Sequence, residues 1–97
     1  MEKELDRFVR ICNLKYKLKN IIKSLGFEDK NGTLFVRPTE MYDTNFKFDD
    51  EALILWSNEK PARKISRNYN VILEDIDDNI YEAEEFIEGL LTSLINY

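Results

Sequence analysis

The strongest constraint on the fold is a double change of hydrophobic period along the chain. From Ile11 the apolar residues Leu14, Leu18, Ile21 or Ile22, and Leu25 step by three and four, the period of a helix with one buried face. At Ala52-Leu53-Ile54-Leu55-Trp56 the sequence turns continuously apolar, as expected of a strand covered on both faces in the middle of a sheet. The three-and-four step returns through Ile80, Ala83, Ile87, Leu90, Leu91 and Leu94. Helical periods at both ends, with strand periods between them, are buried together when helices lie against a sheet.

The elements follow from local signals. The first helix is expected from about Lys3 to Leu25, with Leu5, Phe8 and Cys12 extending its stripe toward the N-terminus. Glu2, Glu4 and Asp6 come early in it and Lys19 and Lys23 late, the order the helix dipole favours. Gly26 before Phe27 predicts a left-handed stop. Asn31-Gly32 predicts a hairpin, since both positions tolerate positive φ. It would join a strand near Phe27–Lys30 to another at Thr33–Arg37, which Pro38 ends by withholding its N–H. Residues 39–50 are polar with interleaved Tyr42, Phe46 and Phe48 and predict a loop, with room for a short extended piece. Ser57–Pro61 predicts a turn and Tyr69–Glu74 (YNVILE) a further strand. The second helix is expected over 78–96, capped by Asp77 with Ile76 and Tyr81 as a staple, or by Asn79 with Glu82. The expected fold is α+β, in the order α-β-β-β-α. It comprises an antiparallel three- or four-stranded sheet packed against two long helices, one domain over residues 1–97. Trp56, Ile54, Ile72, Leu18, Ile21, Leu90 and Leu94 are expected in its single core.

Charge is distributed unevenly. The chain of 97 residues carries a net charge of -5. Residues 1–30 are net basic, whereas Tyr69 to Tyr97 contain no Lys or Arg. That segment holds Glu74, Asp75, Asp77, Asp78, Glu82, Glu84, Glu85 and Glu88. On the expected second helix Asp78, Glu82 and Glu85 form one line, and Glu84 and Glu88 a second beside it. With no opposite charge at i±4, each like-charged pair costs a few tenths of a kcal/mol. A surface built for solubility alone would mix the signs. A single-sign field suits docking on a basic protein, because it speeds encounter and favours a cationic groove. Lys15, Lys19 and Lys23 line the first helix, and Lys60, Arg63, Lys64 and Arg67 cluster before the expected YNVILE strand. Either set could hold phosphates, but the pI of about 4.8 opposes that reading, and intramolecular pairing is the plainer account.

Catalytic and metal chemistry find little support. There is no His and one cysteine, Cys12. This excludes Ser-His and Cys-His nucleophile pairs, an internal disulfide and a multi-cysteine zinc site. Asp75-Ile76-Asp77-Asp78-Asn79 opens like a calcium loop, but Ile80 stands where the loop needs Gly and Phe86 where it needs a bidentate Glu. Helix capping is the preferred reading there. Cys12 is expected to be a buried small hydrophobe, and Trp56 a core residue. Tyr42, Phe46 and Phe48 stand either as exposed anchors for a partner or packed on the sheet edge. The expectation is no enzyme, no cofactor and no bound metal. No apolar run reaches the roughly 20 residues of a membrane span, and the charged, periodic MEKELDRF start does not read as a signal peptide.

In size, acidity and element order the chain resembles the small phage-borne inhibitors of bacterial nucleases, the anti-CRISPR proteins and other nucleic-acid mimics. That resemblance implies a cytoplasmic inhibitor in a bacterial host, acting on a host nucleic-acid-processing defence enzyme. Carboxylates from Glu74 to Glu88 would stand where the target expects phosphates. It would be a monomer or small homo-oligomer with no direct nucleic-acid partner. The basic first helix departs from a whole-surface DNA mimic. The alternative is an immunity protein or antitoxin neutralising a toxin. A third reading is a nucleic-acid-binding regulator using Lys15, Lys19, Lys23 and the Lys60–Arg67 cluster.

Overall fold

The computed structural model describes residues 2–59 and 62–95. Helix α1 (Glu2–Ser24) leads into strands β1 (Glu28–Asp29), β2 (Leu34–Pro38), β3 (Asp43–Phe48), β4 (Ala52–Ser57) and β5 (Arg63–Asn68). Helices α2 (Tyr69–Asp77) and α3 (Ala83–Ile95) follow. The strands form one sheet in the order β1-β2-β3-β4-β5, each pair antiparallel, as short connections dictate. The α+β class and the helix-sheet-helix order are as expected. The sheet has five strands, however, rather than three or four, and three helices flank it rather than two.

The differences have local causes. Residues 39–50 are not a loop: Asp43–Phe48 is a full strand, with Thr44, Phe46 and Phe48 inward and Asn45 and Lys47 on the other side. The inward Thr44 is polar, so the alternation is confined to Phe46-Lys47-Phe48. Phe46 and Phe48 are therefore not exposed anchors. They are buried, making edge-to-face contacts with Phe27 at 5.0 Å and Phe35 at 5.6 Å. Tyr69–Glu74 is not a strand but the start of α2. Asn68 has extended backbone, and its side chain accepts the Asn70 N–H at 2.8 Å, a helix N-cap. Tyr69, Ile72 and Leu73 then face the core at helical spacing. The last strand lies upstream at Arg63–Asn68, where only Ile65 is buried, so it showed no apolar signal. Lys60 and Pro61 of the expected turn, and the expected helix end at 96, lie outside the described residues.

All three helices join one core against the inner face of the sheet. Leu18, Ile22, Phe35, Phe46, Leu55, Ile72 and Ile87 are completely enclosed. Of the expected core, Leu18, Ile72, Leu90 and Leu94 are buried and Ile21 packs against them half-buried. Trp56 and Ile54 do not belong to it. Strand alternation sends Leu53, Leu55 and Ser57 inward and turns Ile54 and Trp56 to the outer face, where both remain half-exposed. The register sets Val36, Asn45, Trp56 and Lys64 in one outer row, and Leu34, Lys47, Ile54 and Ser66 in the next.

Leu5, Phe8 and Cys12 also depart from expectation. At about 100° per residue Leu5 and Cys12 lie on the side of α1 away from Leu18, and Phe8 lies at its flank. Leu5 and Phe8 are 66% and 65% exposed, and Cys12 is an exposed free thiol rather than a buried hydrophobe.

Several cations serve the fold. The Arg37 guanidinium donates to the Leu25 carbonyl at 3.2 Å, where α1 has ended, and lies over the Phe27 ring. Arg63 donates to the Leu94 and Ile95 carbonyls, both at 2.9 Å, satisfying the last turn of α3. Lys15 and Lys19 reach over the rings of Tyr69 and Phe48.

Candidate functional site

The acidic segment folds into a corner rather than one helix face. α2 ends at Asp77, with Asp78 as its C-cap and Asn79 at φ 57. The Asn79 N–H donates to the Ile76 carbonyl at 3.0 Å and the Ile80 N–H to the Asp75 carbonyl at 2.9 Å. These two bonds and the left-handed Asn79 make a Schellman stop. Asp77 thus closes one helix instead of capping the next. The Glu82 carbonyl accepts the Phe86 N–H at 2.9 Å and opens α3, so Asp78, Glu82 and Glu85 are not a line on one helix. Glu74, Asp75, Asp77 and Asp78 belong to the last turns and cap of α2, and Glu82, Glu84, Glu85 and Glu88 to the first turns of α3. The two groups meet around Asn79–Tyr81.

Not all eight acids are free. Asp77 pairs with Arg10 of α1 and holds that guanidinium above its ordinary pKa, chiefly through the hydrogen bond. This is an opposite charge that local spacing did not predict, because it arrives from 67 residues away. Asp75 is half-buried and accepts the Tyr81 hydroxyl at 2.8 Å. Tyr81 stacks on Phe86 at 5.4 Å. Burial first, and the Asp75 hydrogen bond second, push the Tyr81 pKa up to about 12. The other six, Glu74, Asp78, Glu82, Glu84, Glu85 and Glu88, are exposed. They divide by helix polarity. Glu84 and Glu85 lie in the first turn of α3, where the dipole favours acids. Glu74 and Asp78 lie at the C-terminal end of α2, where it disfavours them, and no base stands in that last turn.

A cleft of about 720 Å³ opens between this corner and α1. Ile21 and Ile76 line its apolar part, Glu82, Glu84 and Glu85 its acidic rim, and Lys17 the α1 side. Ile80, at the turn, is 63% exposed. The arrangement can take a cationic side chain along apolar surface with its charge among the carboxylates. Lys17 was not singled out by sequence reasoning. Ile80 was expected on the buried stripe of the second helix, but the Asn79 stop places it outside both helices and leaves it exposed. Among the described residues, no group of three or more His, Cys, Asp or Glu could hold a metal ion. The would-be calcium loop is helix through Asp77.

Lys60 of the basic cluster lies outside the described residues, and among the described ones the cluster does not gather into a phosphate site. Arg63 is taken by the α3 carbonyls and by Glu59 at 3.7 Å, Arg67 donates to the Ser66 carbonyl, and Lys64 faces outward beside Trp56. No helix among the described residues is long and apolar enough to cross a membrane. No family model, curated protein or solved structure matches the chain.

Proposed function

We propose that this chain is a small protein-binding inhibitor that docks its α2–α3 corner on the basic groove of a nucleic-acid-processing enzyme in a bacterial cell. One observation carries the reading: Glu74 and Asp78 stand exposed at the helix end that disfavours them, beside the acids that open α3. Uncompensated acids at a helix C-terminus cost some tenths of a kcal/mol each, and a cationic partner relieves that cost. The exposed Ile80 and the apolar part of the cleft supply an anchor inside an acidic rim, the usual anatomy of a protein interface. An immunity protein or antitoxin would use the same corner on a toxin, and the identity of the captured partner separates the two. A defence nuclease supports inhibition of host defence, and a toxin supports immunity.

The test is capture of the partner from bacterial lysate, then association kinetics across a salt series. Asp78→Lys/Glu82→Lys/Glu85→Lys is expected to slow association at least ~10-fold at low salt, with a smaller gap at high salt. Lys23→Glu/Lys30→Glu, reversed on exposed sites outside the corner, is expected to change it little. Equal rates for the acidic triple variant and the wild type would overturn the reading.

A second reading rests on the outer sheet face. Trp56 lies in register between Asn45 and Lys64, with Lys47 in the adjacent row. An aromatic flanked by lysines on a sheet is a stacking platform for single-stranded nucleic acid. Trp56 is the only tryptophan, so quenching of its fluorescence by a short oligonucleotide at low salt tests this directly. Unchanged emission rejects it.

A further inference from the structure

The hairpin between β1 and β2 brings a backbone nitrogen, a side-chain amide and a carboxylate together. Gly32 follows Asn31 and takes positive φ at 84°. Nothing stands within 4 Å of where a Cβ would be on Gly32, so its nitrogen is unhindered. Its N–H donates to Asp29 Oδ1 at 2.6 Å. Asn31 Oδ1 accepts three hydrogen bonds, from the Thr33 hydroxyl at 2.8 Å, the Leu34 N–H at 2.9 Å and the Thr33 N–H at 3.1 Å. Backbone N–H groups only donate, which identifies that atom as the amide oxygen and the other as the amide nitrogen. Asp29, Asn31, Gly32 and Thr33 are all exposed, so water reaches them. The Gly32 nitrogen is bonded to the main-chain carbonyl carbon of Asn31, so nucleophile and side-chain amide are tethered to one another and need no encounter.

We infer that this hairpin is a self-modifying site: with Asp29 as base, the Gly32 nitrogen closes on the Asn31 side chain and converts Asn31 to an aspartyl or isoaspartyl residue. A backbone N–H is a very weak acid, so a base positioned on it assists its attack. Asp29 takes the Gly32 proton as that nitrogen bonds to Asn31 Cγ. The N–H lies in the peptide plane, whereas the attack comes from the face of that plane, so the two do not compete. Negative charge develops on Asn31 Oδ1, where three donors already point, in the manner of an oxyanion hole. The Cγ–Nδ2 bond then breaks, the proton passes to the departing nitrogen, and ammonia leaves a succinimide. Water adds to one of the two ring carbonyls and breaks its bond to the ring nitrogen. Opening at the former side-chain carbonyl gives the aspartyl residue, and opening at the main-chain carbonyl gives the isoaspartyl residue. Either product adds one negative charge to the net -5 of the chain, beside Glu28 and Asp29. The aspartyl product keeps an acceptor for the Thr33 and Leu34 N–H groups and so keeps the turn. The isoaspartyl product carries an extra methylene in the main chain and loosens the Glu28–Val36 and Asp29–Phe35 pairs. None of these residues belongs to the α2–α3 corner, so the inference does not depend on the proposed docking.

Incubation of the full chain at neutral pH, followed by peptide mapping with mass spectrometry, tests this. The folded wild type is expected to convert Asn31 at least ~10-fold faster than the same chain unfolded in urea, because folding supplies the base and the donors. Asp29→Ala is expected to slow the folded reaction at least ~10-fold and to leave the rate in urea unchanged. Thr33→Val deletes the hydroxyl donor and is expected to slow the folded reaction several-fold, less than the ~100-fold seen for a donor in a water-excluded site. Both positions are exposed, and the circular dichroism spectra are expected to match the wild type. Asn79 is exposed too but precedes the branched Ile80, and it is expected to stay intact over the same period. Three results would each overturn the inference. These are conversion of Asn31 no faster in the folded chain than in urea, an unchanged folded rate in Asp29→Ala with a native spectrum, or equal conversion at Asn79 and Asn31.

Discussion

On the inner face of β4, Leu53 and Leu55 are 1% and 0% exposed, while Ile54 and Trp56 of the same strand remain half-exposed on the outer face. The side chains are of one kind, and only the covering differs. Three helices join the inner face in a single core. The outer face is instead interrupted by Asn45, Lys47, Lys64 and Ser66 at register positions beside the apolar ones. Interspersed charge keeps such a face from forming one large patch. The edges of the sheet are managed as well: β1 is two residues long and acidic, and β5 carries Arg63, Lys64 and Arg67. An apolar strand therefore reports that its residues can be buried, and the neighbouring strands decide which of its faces is.

The sharpest test of this difference truncates one aromatic on each face. Phe46→Ala removes a fully enclosed ring that contacts Phe27, and is expected to cost about 3–5 kcal/mol of stability. Trp56→Ala removes a larger side chain that is only part-buried, and is expected to cost about 1–2 kcal/mol. Urea unfolding of the two variants measures both. Equal losses would mean that the outer face is covered in solution.

The same contrast explains what was legible in the sequence. The helical period of α1 and of α3, the Asn31-Gly32 hairpin and the β4 run are strong local signals, and they give the class and the order of layers. Gly32 takes positive φ at 84°, and the Asn31 side chain accepts the Thr33 and Leu34 N–H groups. β3 and β5 escaped because inward positions are themselves polar, Thr44 in β3 and Arg63 and Arg67 on either side of Ile65 in β5, which breaks the apolar/polar alternation. YNVILE was misassigned because its β-branched residues suit a strand, while the cap at Asn68 and the packing of Tyr69, Ile72 and Leu73 override that preference. At the candidate site the sequence showed the charge and not its geometry. The corner depends on one left-handed residue, Asn79, and the Asp77–Arg10 pair joins residues far apart in the chain.

The next largest effect concerns Arg63, which joins the inner edge of β5 to the end of α3. Its guanidinium serves two carbonyls and lies near Glu59. Arg63→Met keeps the aliphatic stem and leaves those carbonyls to water, and is expected to cost about 1–2 kcal/mol. Lys64→Met, one residue away on the outer face, is expected to cost less than about 0.5 kcal/mol. Thermal unfolding of the pair tests whether the structural role of this basic cluster is confined to its inward member.

The smallest expected effect is at Tyr81, whose hydroxyl ties Asp75 of α2 to the turn before α3. Its pKa is pushed up to about 12, by burial first and then by the Asp75 hydrogen bond and charge, whereas an unfolded tyrosine titrates near 10. The folded state therefore holds the proton more tightly than the unfolded state. The contribution is fully present below about pH 10 and is lost as pH rises from about 10 toward 12. Tyr69 adds to the alkaline loss, since burial and then the charges of Asp49 and Asp50 raise its pKa as well. Tyr81→Phe deletes the hydroxyl while keeping the ring stacked on Phe86. It is expected to lower stability at pH 8 by roughly 0.5–1 kcal/mol, and to make the decline between pH 10 and 12 shallower without abolishing it. Trp56→Ala should leave the slope of that decline unchanged, because the outer face bears no shifted tyrosine among the described residues. Stability measured by urea unfolding at pH 8, 10 and 11 separates the two. A slope equally altered in both variants would show that alkaline sensitivity arises from general loosening of the sheet rather than from the corner that holds Tyr81 and Asp75.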